Sequence, residues 1–338
     1  MDNSYIKQFP DLMNGKTIMY NHGFGSAAST GTVTRIRQTF PNARVVAFDI
    51  PLHPEEALAF LKEKTAEVHP DLIIGTSMGG MYTEMLYGYD RILVNPAFRM
   101  GQTMKDHGMT GLQTWQNPRR DGEKEFIVTK ALEKEYREIT ERCFVGLEAM
   151  EPGQKAEEQR RVWGLFGDKD PIVHTFDLYR SHYPQAAHFH GEHRMNDRSF
   201  MNGVVPAIRW IDDRQEGRER PIIYIDQSTL CDSFGKPKSS LVKAFSMLVE
   251  TYDVYIVMPA PTNEPETFGA NAAWVEQYLS TSAHDRVIYS NRKHLLYGDY
   301  FIDVNPCKEF MGTGIRFESD EFKTWEEIIT FYERINGQ

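Results

Sequence analysis

The sequence predicts an α/β protein of two domains, and three observations carry that prediction. Short β-branched runs alternate with helix-length amphipathic stretches through the first two hundred residues. A charged segment without apolar residues, 212–220, then breaks the pattern. A second strand–helix alternation starts abruptly at Pro221. Alternation of this kind builds a parallel sheet with helices on both faces. The 338 residues suit two domains at about 100–200 residues each.

In the first domain the strand candidates are 17–20, 45–48, 72–74, 92–94, 162–166 and, more weakly, 186–189. Each ends in turn-formers such as Asn21-His22-Gly23 or Asp49-Ile50-Pro51. Helical patterns lie between them: 55–64 carries Ala57, Leu58 and Leu61 on one face, and 80–87 is another. From about 98 to 159 the chain leaves the alternation. It is polar and helix-prone there, with Leu132, Tyr136, Ile139 and Phe144 at helical spacing through 130–147. This reads as a helical insertion able to cover a site, or as an ordinary crossover with a surface loop. The expected division is 1–212, a linker at 213–220, and 221–338. In the second domain, strands are expected at 221–226, 254–258, 286–289 and 300–304, with helices at 240–251, 270–279 and 324–334.

Composition narrows the function classes. Hydrophobic residues at 41% and charged residues at 25% are ordinary globular values, which excludes a long disordered, collagen-like or coiled-coil chain. A net charge of −10 repels nucleic-acid phosphates. There is no run of eighteen apolar residues for a membrane span, and 1–16 lacks the apolar stretch of a secretory signal. Cys143, Cys231 and Cys307 are odd in number and far apart, against a disulfide framework or a cysteine zinc site. A cytoplasmic protein without nucleic-acid or membrane partners is expected; oligomeric state stays open.

Gly75-Thr76-Ser77-Met78-Gly79 matches Gly-x-Ser-x-Gly, a pattern that arises by chance in about one chain in ten of this length. Its context sharpens it, because the apolar run 71–74 precedes it and a helical pattern follows. A strand–serine–helix elbow needs small residues on both sides of a tight turn. A serine hydroxyl also needs a base, and the base an orienting acid. Gly167-Asp168-Lys169-Asp170-Pro171 follows the fifth strand, and His190-Gly191-Glu192-His193 the sixth, so the order is serine, acid, histidine. Asp170 is the chosen acid and Asp168 the alternative. His193, beyond Gly191, is the chosen base, with His182, His188 and His190 as neighbours. His188-x-His190-x-x-His193 also admits a metal reading, though no zincin-type carboxylate motif accompanies it. Charge developing on a carbonyl oxygen calls for backbone N–H donors. The candidates are Met78, after the serine, and Phe24, in the loop Asn21-His22-Gly23-Phe24-Gly25-Ser26, where His22 is expected to brace the loop.

These residues, in this order, resemble the α/β-hydrolase superfamily. Within it, Met19 to Ser26, Gly75 to Gly80, Asn95-Pro96-Ala97 and Gly191-Glu192-His193-Arg194 resemble the small YqiA-type bacterial esterases over about 16–212. The resemblance implies hydrolysis of a small carboxylic ester or thioester without metal or cofactor, with the insertion as a lid. The chain departs from that family at the acid loop, which follows the general superfamily pattern.

Ile222-Ile223-Tyr224-Ile225-Asp226, Tyr255 to Pro261, Arg292-Lys293-His294 and Gly298 to Asp303 resemble haloacid dehalogenase (HAD)-like phosphatases, particularly the 5'(3')-deoxyribonucleotidases, over about 220–338. That resemblance implies a small Rossmannoid α/β domain in which the first Asp attacks phosphate and an Asp two residues on shuttles the proton; in this chain the stretch between Asp226 and Val254 leaves little room for a substrate-selecting cap. Here Ser228 stands in the second place, Met258 replaces the usual Thr or Ser, and Val304 follows Asp303. The departures predict a catalytically degenerate domain. Asp226, Lys293 and Asp303 could still bind Mg²⁺ and a phosphate, with the Ser228 carbonyl as a further ligand. The alternatives to a serine esterase are therefore a Mg²⁺-dependent phosphohydrolase or nucleotide-binding protein working through Asp226, and a non-catalytic scaffold.

Overall fold

A computed structural model describes residues 5–233 and 235–337; the first four residues of the stretch read for a signal lie outside them. The chain forms two compact units, Met1–Asp212 and Asp213–Gln338.

In the first unit β1 (Thr17–Asn21) leads to α1 (Gly31–Thr39) and β2 (Arg44–Ala47), then α2 (Pro54–Val68), β3 (Leu72–Thr76), α3 (Met78–Glu84) and β4 (Arg91–Val94). The insertion holds α4 (Met100–Asp106), β5 (Gly111–Thr114), β6 (Glu125–Val128), α5 (Lys130–Thr140), α6 (Val145–Glu148) and α7 (Pro152–Arg160). The sheet resumes with β7 (Val162–Gly167), α8 (Phe176–Arg180) and β8 (Ala186–Phe189), followed by α9 (Asp197–Ser199), a π-helical turn at Phe200–Val204, and α10 (Val205–Glu216). The charged segment is thus helical as far as Glu216.

The strand order is β2-β1-β3-β4-β7-β8 and every pairing is parallel. Side chains alternate across a strand, so each strand supplies both faces. Met19, Ile73, Leu93 and Phe166 pack on one side with α2 and α3. Ile18, Tyr20, Leu72, Ile74, Ile92, Val94 and Leu165 pack on the other with α1 and α10. Burial on both faces is why these strands read as continuous apolar runs. The chain reverses direction across the sheet at β1, so the loops after β1 and β3 part and leave a crevice at their C-terminal ends. This is the expected α/β-hydrolase arrangement.

The insertion is more varied than its helical pattern. Residues 130–147 break after α5, and Phe144 takes a left-handed φ of 66°. Its N–H donates to the buried Glu84 carboxylate (3.0 Å) rather than to the helix ladder. The antiparallel pair β5–β6 has only four residues a strand, too few to stand out as alternation; Phe126 and Val128 face inward while Leu112 and Ile127 face outward.

In the second unit β9 (Ile222–Asp226), α11 (Leu241–Leu248), β10 (Asp253–Met258), α12 (Glu266–Leu279), β11 (Val287–Tyr289), β12 (Tyr300–Asp303), β13 (Thr313–Arg316) and α13 (Trp325–Asn336) follow in order. They build a parallel sheet, β11-β10-β9-β12-β13. Ile223, Ile225, Val254, Ile256 and Ile302 face a core shared with α11 and α13, while Tyr224, Val257 and Phe301 face the other side. β13 escaped the sequence reading because it is an edge strand in which only Ile315 is buried.

Candidate active site

Ser77 lies between β3 and α3 at φ 54°, ψ −119°, a conformation costly for any residue with a side chain. It is held there from several directions. Its N–H donates to the Val94 carbonyl (2.9 Å), and its carbonyl accepts from Ala97 (3.0 Å) and Met81 (3.1 Å). The glycines of the elbow are needed for close approach. A Cβ on Gly79 would stand 2.1 Å from the Asn21 carbonyl oxygen, and one on Gly75 2.3 Å from Thr83 Oγ1.

His193 comes from the loop after β8. Its Nε2 is 3.0 Å from Ser77 Oγ and its Nδ1 2.7 Å from Asp170 Oδ2. A carboxylate only accepts, so Nδ1 carries the proton and Nε2 is left to accept from the serine hydroxyl. Asp170 Oδ1 takes the N–H groups of Ile172 (2.7 Å) and Val173 (3.0 Å). Burial pushes the Asp170 carboxyl up, but the His193 hydrogen bond and charge and the two backbone donors outweigh it and hold it below its ordinary value.

The alternative acid, Asp168, faces another imidazole: its Oδ2 takes His190 Nδ1 (2.7 Å) and its Oδ1 the Gly191 N–H (3.0 Å). That pair ties the acid loop to the base loop from outside. His188 stacks on Phe176 with ring centroids 4.0 Å apart, and His182 pairs with Glu148 at 2.8 Å. The closely spaced histidines therefore have separate partners, and among the described residues no group of three His, Cys, Asp or Glu is gathered for a metal ion.

His22 braces the loop after β1. Its Nδ1 donates to the Gly23 carbonyl (2.9 Å) and its Nε2 accepts from Ile50 N–H (3.0 Å). Burial pulls its pKa down to about 4, so the ring is neutral at pH 7. The same loop passes directly against Ser77, since a Cβ on Gly23 would lie 3.3 Å from Ser77 Cβ. Phe24 follows, its ring edge-on to Phe126 (5.4 Å) and Tyr136 (5.7 Å) of the insertion. Met78 is the first residue of α3, where an N–H has no carbonyl one turn earlier to bond.

Asn95, quoted in the sequence only for its resemblance, has a structural role there. At φ 47° after β4, its Nδ2 donates to the carbonyls of Glu192 (3.2 Å) and His193 (3.1 Å), and its Oδ1 accepts from Gly167 N–H (2.7 Å). One amide thus spans the base loop and the start of the acid loop. The signal was a polar residue directly after a buried strand. Gln116 was missed: its N–H donates to the Gly25 carbonyl (2.7 Å), and its side chain accepts from Arg194 (3.0 Å).

In the second unit Lys293 Nζ lies 2.6 Å from Asp226 Oδ2 and 2.7 Å from Asp303 Oδ2. The three residues that the sequence singled out converge. A cavity of about 610 Å³ opens beside them, lined by Asp226, Ser228, Asn291, Lys293 and His294 among others. Ser228 Oγ is 3.4 Å from Asp303 Oδ1, and its carbonyl accepts from Lys238 Nζ (3.1 Å). The oxygens that would ligate a divalent cation thus already face ammonium groups. As arranged, the residues do not fit Mg²⁺.

Fold and site together define an α/β protein with Ser77 at a strand–helix elbow, hydrogen-bonded to His193 and through it to Asp170. The chain belongs to the family described as Uncharacterised protein family (UPF0227), whose model matches residues 17–191. Its remaining part belongs with a putative 5'(3')-deoxyribonucleotidase of Vibrio phage KVP40, 34% identical over 137 residues, 39% of this chain and 76% of that protein. A 5'(3')-deoxyribonucleotidase of Bacillus subtilis is 28% identical over 92 residues, 24% of this chain and about half (53%) of the relative. Among solved structures, the esterase domain of a Rhodothermus marinus protein is 16% identical over 62% of this chain and 90% of its own, with a TM-score of 0.37. A 2-hydroxy-6-oxo-6-phenylhexa-2,4-dienoate hydrolase from Rhodococcus sp. is 16% identical over 62% and 92%, with a TM-score of 0.34. Among the described residues no helix is long and apolar enough to cross a membrane.

Proposed function

We propose that the first unit is a serine hydrolase that cleaves a small carboxylic ester or thioester through an acyl-enzyme on Ser77. The relay of 3.0 Å and 2.7 Å from Ser77 through His193 to Asp170 carries this reading. Ser77 Oγ bonds to the acyl carbon as its proton passes to His193 Nε2. Asp170 stabilises the imidazolium and keeps its ring oriented. The C–O or C–S bond then breaks, and His193 returns the proton to the departing alcohol or thiol. Water, deprotonated by the same imidazole, releases the acid and restores the serine. The Phe24 and Met78 N–H groups meet the oxyanion, each worth about 2.7–4 kcal/mol in the transition state. Ser77→Ala is expected to abolish p-nitrophenyl butyrate hydrolysis and labelling by a fluorophosphonate probe; undiminished turnover in that variant removes the mechanism.

A second reading concerns the other unit, on the convergence of Asp226, Lys293 and Asp303 beside a cavity. It holds a phosphate ester of the nucleotide kind without turning it over, because Ser228 cannot shuttle a proton at neutral pH. Calorimetric titration with deoxynucleoside monophosphates, with and without Mg²⁺, tests this. Phosphate release lost in Asp226→Asn would instead mark an active phosphohydrolase.

A further inference from the structure

Arg194 directly follows the base His193 and is exposed. Its guanidinium donates to Gln116 Oε1 at 3.0 Å, and the Gln116 N–H donates to the Gly25 carbonyl at 2.7 Å. The charge therefore stands where the base loop, the insertion and the oxyanion loop meet. Several other arginines of this unit have carboxylate partners, among them Arg35 with Asp197, Arg119 with Asp121, Arg142 with Glu55 and Arg161 with Glu157, whereas Arg37 donates to the Val45 carbonyl. Arg194 has only a neutral amide, and among the described residues no carboxylate is paired with it. Arg120, on the same stretch of the insertion, is also exposed; its backbone N–H is held by Asp49 Oδ2 (2.7 Å).

A chain of net charge −10 repels an anionic ligand at long range, so capturing one needs a local cation. A guanidinium presents a planar fork that fits a carboxylate or phosphate with two parallel hydrogen bonds. Glutamine is a weak competitor, because it offers one neutral acceptor and is displaced without stranding a charge. Resting on the ester-hydrolase reading, we propose that Arg194 determines specificity, selecting esters that carry a carboxylate or phosphate close to the scissile bond.

The test uses the full chain and two matched pairs of esters. Mono-p-nitrophenyl adipate against p-nitrophenyl valerate places the charge on the acyl side. 4-Acetoxyphenyl phosphate against 4-acetoxyanisole, followed by acetate release, places it on the alcohol side. In at least one pair the wild type is expected to favour the charged ester at least tenfold in kcat/KM, with the preference falling as salt is added. Arg194→Gln is expected to cut that charged-to-neutral ratio at least tenfold and Arg194→Lys to restore part of it. Fluorophosphonate labelling of Ser77 checks that each variant is folded. Equal turnover of charged and neutral esters by the wild type, or an unchanged ratio in Arg194→Gln, overturns this proposal alone. No turnover of any ester overturns the hydrolase reading and this proposal with it.

Discussion

Ser77 is held in a backbone region that costs about 1–3 kcal/mol for a residue with a side chain, and three hydrogen bonds to flanking segments keep it there. Relieving the strain while removing the hydroxyl separates stability from activity. Ser77→Gly is expected to raise the unfolding free energy by about 1 kcal/mol while abolishing ester hydrolysis, as read by denaturant titration and turnover. His22 provides a pH test. Its pKa drops from 6.5 unfolded to about 4 folded, so the unfolded chain binds more protons between those values. Its contribution is therefore complete above the unfolded pKa and is lost as pH falls towards 4, removing about 3 kcal/mol from pH 7.5 to pH 4. Equilibrium unfolding across that range should show the loss, and His22→Gln should flatten the profile. At this scale the sequence was legible where the chemistry is local. Ser77, Met78 and Gly79 are consecutive, and the elbow requires them to be. Asp168 and Asp170 share one loop, and what separates them is tertiary: the imidazole each one meets, and the burial of Asp170 against the exposure of Asp168.

Between elements, the site depends on loops being held at the ends of parallel strands. Asn95 does this with one side chain, bonding Gly167 on the acid side and Glu192 and His193 on the base side. Asn95→Ala is expected to lower kcat about 10–100-fold with KM little changed, because it loosens the His193 ring rather than the substrate. A slower fluorophosphonate reaction with an unaltered far-ultraviolet spectrum would accompany that change; a loss confined to KM would contradict it. The insertion is anchored in a similar way. Buried Glu84 accepts from Phe144 N–H and from Tyr183 and Tyr87, while buried Arg91 bonds the Glu84 carbonyl and pairs with Glu158. This network ends α5 early, an outcome that the apolar spacing through 130–147 could not convey. The partner that competes with the helix for the Phe144 N–H lies sixty residues earlier in the chain.

Across the whole molecule, every residue assigned to the serine relay lies in the first unit, which has cores on both faces of its own sheet. Asp212 closes that unit, its carboxylate taking the Met13 N–H (3.1 Å) and Lys16 Nζ (2.7 Å) near the start of the chain. A chain ending after Glu216 is therefore expected to fold and to keep Ser77 labelling within about twofold of the full protein. Failure of that fragment to fold, measured by its thermal transition, would count against independent units.

Periodicity and punctuation were enough to read two α/β units and a serine in a tight strand–helix turn, with an aspartate loop and a histidine loop further along the chain. These features arise from contacts between neighbours in the chain and from burial on both faces of parallel strands. The pairing of acid with base, the bridging by Asn95, the hairpin in the insertion and the meeting of Arg194 with Gln116 emerged only in three dimensions. Each joins segments whose side-chain chemistry alone permits several partners, and the choice among them is made by which loop ends the sheet brings within hydrogen-bonding distance.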